Sequence, residues 1–295
     1  MKPLPKRAAL VVNAKSRKGR DLYQRAQALL IQNGIELIAT EGVRDPAQLR
    51  PTIQRLLESD PPMIIVGGGD GTLSSTVDDF VPHETVFALL PLGTANSFAR
   101  TLGIPLDLEG AVEVIATGER RRIDLGMIDK DYFANCAAIG MSPLIAETVP
   151  HNLKRWLGRV GYFGWAAWQF TRFRPFKLTV GNETVDAVEV RIANGRYHGG
   201  TELVEDAEVD SGEIIVQAVL GDARHRLLWS WAASILKLKG RERNVREFHG
   251  VELRISTDPP LPISIDGEVL AHTPVTAHVA PGIIEVAAPR STPPD

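Results

Sequence analysis

The sequence predicts an α/β domain followed by a mainly antiparallel β domain, and three observations carry that expectation. Over the first 125 or so residues, short apolar runs alternate with helical patterns, an order that builds a parallel sheet covered on both faces. From about Asp124 the pattern changes to β-rich runs separated by Gly, Asn, Asp and Pro. A chain of 295 residues is also long for one hydrophobic core, so two domains follow. The boundaries read as 1–125 and 126–289, with a frayed tail at 290–295.

In the first domain Ala8 to Val12 reads as a buried strand. Asp21 to Asn33 carries Leu22, Ala26, Leu29 and Leu30 at helical spacing, with Gly34 as its stop. Ile35 to Ala39 is a second strand, Pro46 to Leu57 a second helix, and Met63 to Val66 a third strand ending in glycines. Thr72 to Phe80 is expected as one helix, Val86 to Leu90 as a fourth strand, and Asn96 to Leu102 and Leu108 to Thr117 as helices. In the second domain the β runs are Phe176 to Val180, Ala187 to Ala193, Glu213 to Val219, Val251 to Ser256, Pro262 to Ile265 and Ile283 to Val286. Two helical insertions interrupt them, at about Leu153 to Phe173 and Arg224 to Lys239.

Composition narrows the function classes. The chain is 44% apolar and 23% charged with a net charge of -3, so no basic field argues for a nucleic-acid partner. One cysteine, Cys136, excludes an intramolecular disulfide, and a buried packing role suits it better than that of a nucleophile. No apolar run reaches the 18 or so residues of a membrane span, and the N-terminal run Ala8 to Val12 is too short for a signal-peptide core. A cytoplasmic protein, touching the inner membrane surface at most, is the expectation. Among seven histidines none has a zinc spacing.

The chemistry concentrates in MIIVGGGDGTLSSTV. Gly67, Gly68 and Gly69, then Asp70, Gly71 and Thr72, follow a buried strand and precede a helix. Glycine permits positive φ and lets phosphate oxygens approach backbone N–H groups closely. The helix N-terminus adds partial positive charge. Asp70 would repel a bare phosphate, so its place here makes sense if it reaches a catalytic Mg²⁺ that bridges phosphate and carboxylate. The plain structural alternative is a tight turn capped by Asp70. The run is neither a Walker P-loop nor a dinucleotide fingerprint.

It resembles the catalytic domain of the diacylglycerol kinase family, which includes bacterial lipid kinases and sphingosine kinases; NAD kinases and phosphofructokinases carry a related GGDGT loop. VVNAKSRKG at residues 11–19 is similar to the family's opening loop, with Ala14 in place of proline. LPLGTANSFAR at 90–100 resembles its second signature, residues 193–213 its β-domain loop, and IDGE at 265–268 its catalytic turn. The resemblance spans nearly the whole chain. It implies a Rossmann-like nucleotide domain and a β-sandwich substrate domain, with ATP and Mg²⁺ as cofactors and a lipid hydroxyl as acceptor. It also implies that Asn13, Lys15 or Lys18, Thr40, Gly93, Thr94 and Asn96 complete the nucleotide site. Lys15 and Lys18 suit phosphate oxygens, although surface lysines are commonly just solvated.

A lipid hydroxyl is a poor nucleophile, and a carboxylate within hydrogen-bond reach helps by accepting its proton. Asp266 and Glu268 point to one face if their segment is extended, and the resemblance assigns the proton acceptor to Glu268. Against this, Asp-Gly is a strong hairpin signal, and Ile263, Ile265 and Val269 then simply flank a turn. Two departures from the family pattern stand out. Ser97 takes the place of an aspartate after the Gly-Thr-x-Asn asparagine. Ser211 takes the place of the aspartate that ligates a structural Mg²⁺ before Gly212; Asp210 is one residue earlier, which alternation turns to the other face. Asp124, in RRIDLG, reads either as a cleft carboxylate or as a satisfied linker group.

All five tryptophans fall in or beside the two helical insertions, together with KLKGRERNVR. Aromatic helices beside basic residues suit a lipid cleft facing an anionic membrane surface, and equally suit packing on the β domain. An exposed β-domain edge permits a homodimer by strand pairing. Two other functions compete with lipid phosphorylation. One is a NAD kinase, disfavoured by the order of the later motifs. The other is a non-catalytic nucleotide or lipid regulator, suggested by Ser97 and Ser211.

Overall fold

Five apolar residues in a row make the centre of β1 (Arg7–Asn13), and all five are buried, as a parallel strand covered on both faces requires. A computed structural model describes residues 3–15, 17–140, 143, 168, 173–221, 245–266 and 268–290. After β1 come α1 (Arg17–Gln32), β2 (Glu36–Val43), a 3-10 turn (Pro46–Gln48) leading into α2 (Leu49–Leu57), and β3 (Met63–Gly68). Then follow α3 (Asp70–Ser74), α4 (Val77–Phe80), β4 (Val86–Pro91), α5 (Ser97–Thr101) and α6 (Leu108–Thr117). Strands β2, β1, β3 and β4 form a parallel sheet in that order. Gly34, with φ +79, ends the first helix, and α2 buries Leu49, Ile53 and Leu57 at helical spacing.

The helix expected over Thr72 to Phe80 is two short helices instead. It starts at Asp70, stops at Ser74 and resumes at Val77. The Thr76 hydroxyl donates back to the carbonyls of Thr72 (2.9 Å) and Leu73 (3.3 Å), a local bond that competes with helix propagation. A five-residue helix has little macrodipole, so the N-terminal charge expected at the glycine loop is correspondingly small.

The remainder is strands: β5 (Glu119–Ile128), β6 (Asp131–Phe133), β7 (Cys136–Gly140), β8 (Phe176–Val180), β9 (Glu183–Ala193), β10 (Tyr197–His198), β11 (Thr201–Glu202) and β12 (Ile214–Leu220). β13 (Val245–Gly250), β14 (Glu252–Asp258), β15 (Pro262–Ile265), β16 (Glu268–His272) and β17 (Val275–Ala288) complete the chain. Strands β7 to β9 and β12 to β16 pair antiparallel around a second apolar core. An N-terminal parallel sheet and a C-terminal antiparallel β-sandwich are therefore the two parts. The aromatic insertions lie outside the described residues, except that Trp168 is 41% exposed and Phe173 is buried.

The last strand departs from expectation. Ile283 to Val286 reads as a β-domain strand, but it is the end of the 14-residue β17. Val275, Ala277 and Val279 enter the second core, whereas Ile284, Val286 and Ala287 enter the first. Val286 pairs with Phe87 of β4, and β5 runs alongside β17 with a register break between Ala280 and Ile284.

Candidate functional site: the rim of the parallel sheet

In open α/β sheets ligands bind outside the carboxyl ends of the strands, and here three strand ends converge. Val12 pairs with Gly67, so Asn13 ends β1 beside the glycine run. Gly68 pairs with Pro91, which brings residues 92–96 next to the same run. None of Gly67, Gly68, Gly69, Gly71 or Gly93 has positive φ, which corrects the expected reason for the glycines. Space is the reason. A Cβ on Gly67 would meet Val12 at 2.9 Å, one on Gly68 would meet the Thr72 Cβ at 2.5 Å, and one on Gly93 would meet the Gly69 Cα at 2.5 Å. The two signature loops thus touch backbone to backbone. Gly71 alone of this set has open space where a Cβ would be, and it is exposed with Gly93 and Thr94.

Asp70 caps a helix, but not its own. Its Oδ1 accepts the N–H of Ser97 at 2.6 Å and of Phe98 at 3.5 Å, at the start of α5. Asn96, at φ +49, shapes its loop: Oδ1 accepts the Gly93 N–H at 2.9 Å, and Nδ2 donates to the Gly93 carbonyl at 3.0 Å. Ser97 is 4% exposed, and its hydroxyl accepts the Gly200 N–H at 3.0 Å, tying the β10–β11 hairpin to the loop at 92–96.

Asp266 comes from the second domain. The segment is not extended there: Ile265 pairs with Glu268 across a two-residue connection, and Asp266 has φ +44. The alternation argument for Asp266 and Glu268 sharing a face therefore fails. The Asp266 carboxylate accepts the N–H groups of Ala134 (3.1 Å) and Cys136 (3.3 Å). Burial pushes its pKa up to about 6, opposed by the N–H groups of Ala134, Cys136 and Asn135 and reinforced by the charge of Asp70. The charge of Asp70, in the first domain, thus reaches Asp266 in the second. Glu268 is exposed on β16.

The other expected residues spread out. Asn13 is half-buried with its Oδ1 taking the Lys15 N–H at 3.3 Å, and Lys15 is exposed; the Lys18 side chain lies outside the described residues. Thr40 is exposed on the edge strand β2 opposite Leu10, three residues below the rim marked by Asn13 and Val43. Asp124 is 4% exposed and satisfied, its oxygens accepting the N–H groups of Gly282 and Gly212, each at 2.7 Å. Of its two readings, the linker carboxylate holds. Asp210 is exposed and paired with Arg121, whose Nε and Nη2 donate to Oδ2 at 3.0 and 2.7 Å. Among the described residues no group of three or more His, Cys, Asp or Glu side chains could hold a metal ion.

Sequence reasoning misses the polar layer under the site. Glu189 and Arg191 fall within the β run Ala187 to Ala193, whose pattern alone marks no polar cluster. Yet Arg191 is 2% exposed, held by both Glu189 carboxylate oxygens at 3.3 Å and by Gln217 at 2.9 Å. His198 lies near this layer; burial lowers its pKa, with Glu189 and Asp70 opposing and Arg191 assisting. Cys136 is buried, and burial pushes its thiol up to about 12, which removes it as a nucleophile.

A two-domain fold whose paired glycine loops open at a strand rim, with acidic groups arriving from both domains, defines a phosphoryl-transfer class of protein. Residues 7–128 match the diacylglycerol kinase catalytic domain, and residues 135–288 match the YegS C-terminal NAD kinase beta sandwich-like domain. The chain belongs to the diacylglycerol kinase catalytic-domain family, a family of phosphotransferases with an alcohol acceptor. It is 30% identical over 236 residues to a protein of Yersinia enterocolitica named "Probable lipid kinase YegS-like", covering 77% of this chain and 78% of that one. It is 27% identical over 285 residues to a diacylglycerol kinase of Staphylococcus epidermidis, covering 85% of each chain. A solved diacylglycerol kinase structure from Bacillus anthracis shares the fold with a TM-score of 0.73 at 21% identity, over 96% of this chain and 97% of that one.

Proposed function

We propose that the chain is an ATP-dependent lipid kinase working in the cleft between its two domains. One observation carries the reading: Asp70 from the phosphate-side domain and Asp266 from the β domain sit within electrostatic reach of each other, beside the exposed backbone of Gly71, Gly93 and Thr94. The residues present fit a magnesium–nucleotide, since Gly71 leaves open space for phosphate oxygens, Asp70 precedes it in the loop, and Asp266 is close enough for the charge of Asp70 to reach it. Bound MgATP supplies the transferable phosphoryl group and neutralises its charge. The loops at 67–72 and 93–94 hold and orient the phosphates, with Asn13 at the end of β1 beside them and Lys15 exposed next to it. Asp70, held through Oδ1 by the Ser97 N–H, would use its second oxygen to hold the metal. Asp266 accepts the acceptor hydroxyl's proton, since a carboxylate titrating near 6 is ionised at neutral pH yet basic enough to serve. Glu268, beyond the turn, supports the acceptor side.

The reading is tested by incubating purified protein with labelled ATP, Mg²⁺ and a panel of diacylglycerol, phosphatidylglycerol, sphingoid bases and NAD. Label in a lipid is expected. Label only in NADP would make the chain a NAD kinase, and ATP binding without transfer would make it a regulator. Asp266→Asn is expected to lower kcat by about 10²-fold or more with ATP affinity kept, the scale of a lost general base. A larger loss of kcat in Glu268→Gln than in Asp266→Asn moves the base to Glu268.

A further inference from the structure

The family resemblance implies a structural Mg²⁺ in the loop before Gly212, and the residues here do not fit one. Mg²⁺ demands near-octahedral oxygen ligands, so the question is which oxygens of the loop are free to turn toward a cation. The Ala207 carbonyl accepts the Arg196 Nε–H at 3.1 Å. The Glu208 carbonyl accepts the Ser211 hydroxyl at 3.0 Å and the Ser211 N–H at 3.2 Å, and the Glu208 carboxylate takes Arg196 Nη2 at 2.8 Å. The Val209 carbonyl accepts the Asp124 N–H at 2.6 Å. Both Asp124 carboxylate oxygens face N–H donors, those of Gly282 and Gly212. Asp210 Oδ2 faces Arg121. The Ser211 hydroxyl accepts the Glu213 N–H at 3.2 Å, a bond within the loop that needs no charge.

Every oxygen just named therefore meets an N–H or O–H donor, and two guanidinium groups, Arg121 and Arg196, supply the positive charge. We propose that this junction between the domains is locked by resident guanidinium groups, Arg121 above all, in place of a bound divalent cation. The geometry explains why a neutral serine suffices at 211. An added aspartate there would bring a further negative charge beside Asp124 and Asp210, which a cation would then have to offset. Arg121 is the natural substitute: it lies on β5 three residues before Asp124 and reaches across to the loop that Asp124 also holds. Fixed in the chain, a guanidinium cannot be stripped by a chelator.

The test is thermal unfolding of the full chain carrying Asp70→Asn and Asp266→Asn, which removes both carboxylates of the proposed nucleotide rim so that a remaining metal response belongs to the junction. Melting in EDTA and in millimolar MgCl₂ is expected to coincide within about 1 °C, because a cation that binds only the folded state would raise Tm with its concentration. A rise of several degrees with Mg²⁺ overturns the proposal. Arg121→Gln is expected to lower Tm by a few degrees to the same extent with and without Mg²⁺, since the pair with Asp210 is partly exposed. Adding Asp210→Asn to it should cost nothing more, because the partner is already gone. An Arg121→Gln protein that melts like its parent, or that Mg²⁺ rescues, also overturns it. None of these outcomes depends on kinase activity, so they stand whether or not the lipid assignment does.

Discussion

Gly93 and Gly71 are both glycines at the rim of the parallel sheet, yet they do different work. A side chain on Gly93 would drive a Cβ to 2.5 Å from the Gly69 Cα, which is backbone and has no rotamer to yield. Gly93→Ala is therefore expected to destabilise the fold by about 1–3 kcal/mol, the usual cost of overpacking, and to part the two loops. Gly71→Ala meets nothing within 4 Å, so its melting temperature should stay close to the parent's while ATP affinity falls about 10-fold or more as the methyl occupies space meant for phosphate. Paired melts and nucleotide titrations check both; a Gly71→Ala protein that binds ATP normally sinks the phosphate assignment of that position. The contrast shows what is legible in a sequence. Three glycines at a strand end announce a loop that something must approach closely. That Gly69 and Gly93 approach each other, 24 positions apart, depends on β3 and β4 lying side by side, and no local pattern encodes it. The setting of Asp266 is hidden for a related reason: Asp-Gly reads as a hairpin, which it is, and the β6–β7 backbone that holds its carboxylate lies some 130 residues earlier.

The break between α3 and α4 places acidic residues against α2. Asp79 is well used: Arg50 grips it through Nε at 3.0 Å and Nη2 at 3.0 Å, and Gln54 adds a bond at 2.9 Å. Asp78 is not, since its Oδ1 is buried without a hydrogen-bond partner among the described residues. Burial pushes its pKa up to about 6; Arg50 opposes this, while Asp131 and Asp79 add to it. A carboxylate whose folded pKa lies above its unfolded value favours the folded state fully below the unfolded pKa, and loses that contribution as pH rises through the folded pKa. The window here runs from about 4 to about 6. Asp78→Asn keeps the shape and removes the buried charge, so it should melt higher than the parent by roughly 2–4 °C above pH 7. The two should converge near pH 4, where the parent carboxyl is protonated. Melts across that range check it; a variant less stable than the parent at pH 7.5 would show that attraction to Arg50 outweighs desolvation. The pattern VDDF does not reveal which aspartate meets Arg50 and which is left without a partner, because the helix period depends on where the chain restarts after Thr76.

At the scale of the molecule, the change of character near Asp124 reads from the sequence as a boundary at residue 125, a position that falls inside β5 (Glu119–Ile128). The return of the C-terminal strand is not legible, because parallel pairing between β17 and β4 joins segments nearly 200 residues apart and leaves no periodic trace. That return has a mechanical consequence. β17 and β5 are paired along both halves of the molecule, and Asp124 fastens the point where β17 changes core by accepting the Gly282 N–H. A fragment of residues 1–125 would lose Ile284 and Val286, both almost fully buried, along with the strand that covers the β4 edge. Burying two such side chains stabilises by about 3–6 kcal/mol, a large part of the 5–15 kcal/mol that keeps a domain folded. The fragment is therefore expected to show a broad, weakly cooperative urea transition by circular dichroism. The intact chain is expected to unfold in one step, with equal calorimetric and van't Hoff enthalpies. Two resolved transitions, or a fragment that unfolds as sharply as the parent, would mean that the shared strands do not couple the cores. One transition would mean that the two domains are joined by continuous sheet, so that any closure on the proposed nucleotide would have to bend strands rather than swing a linker.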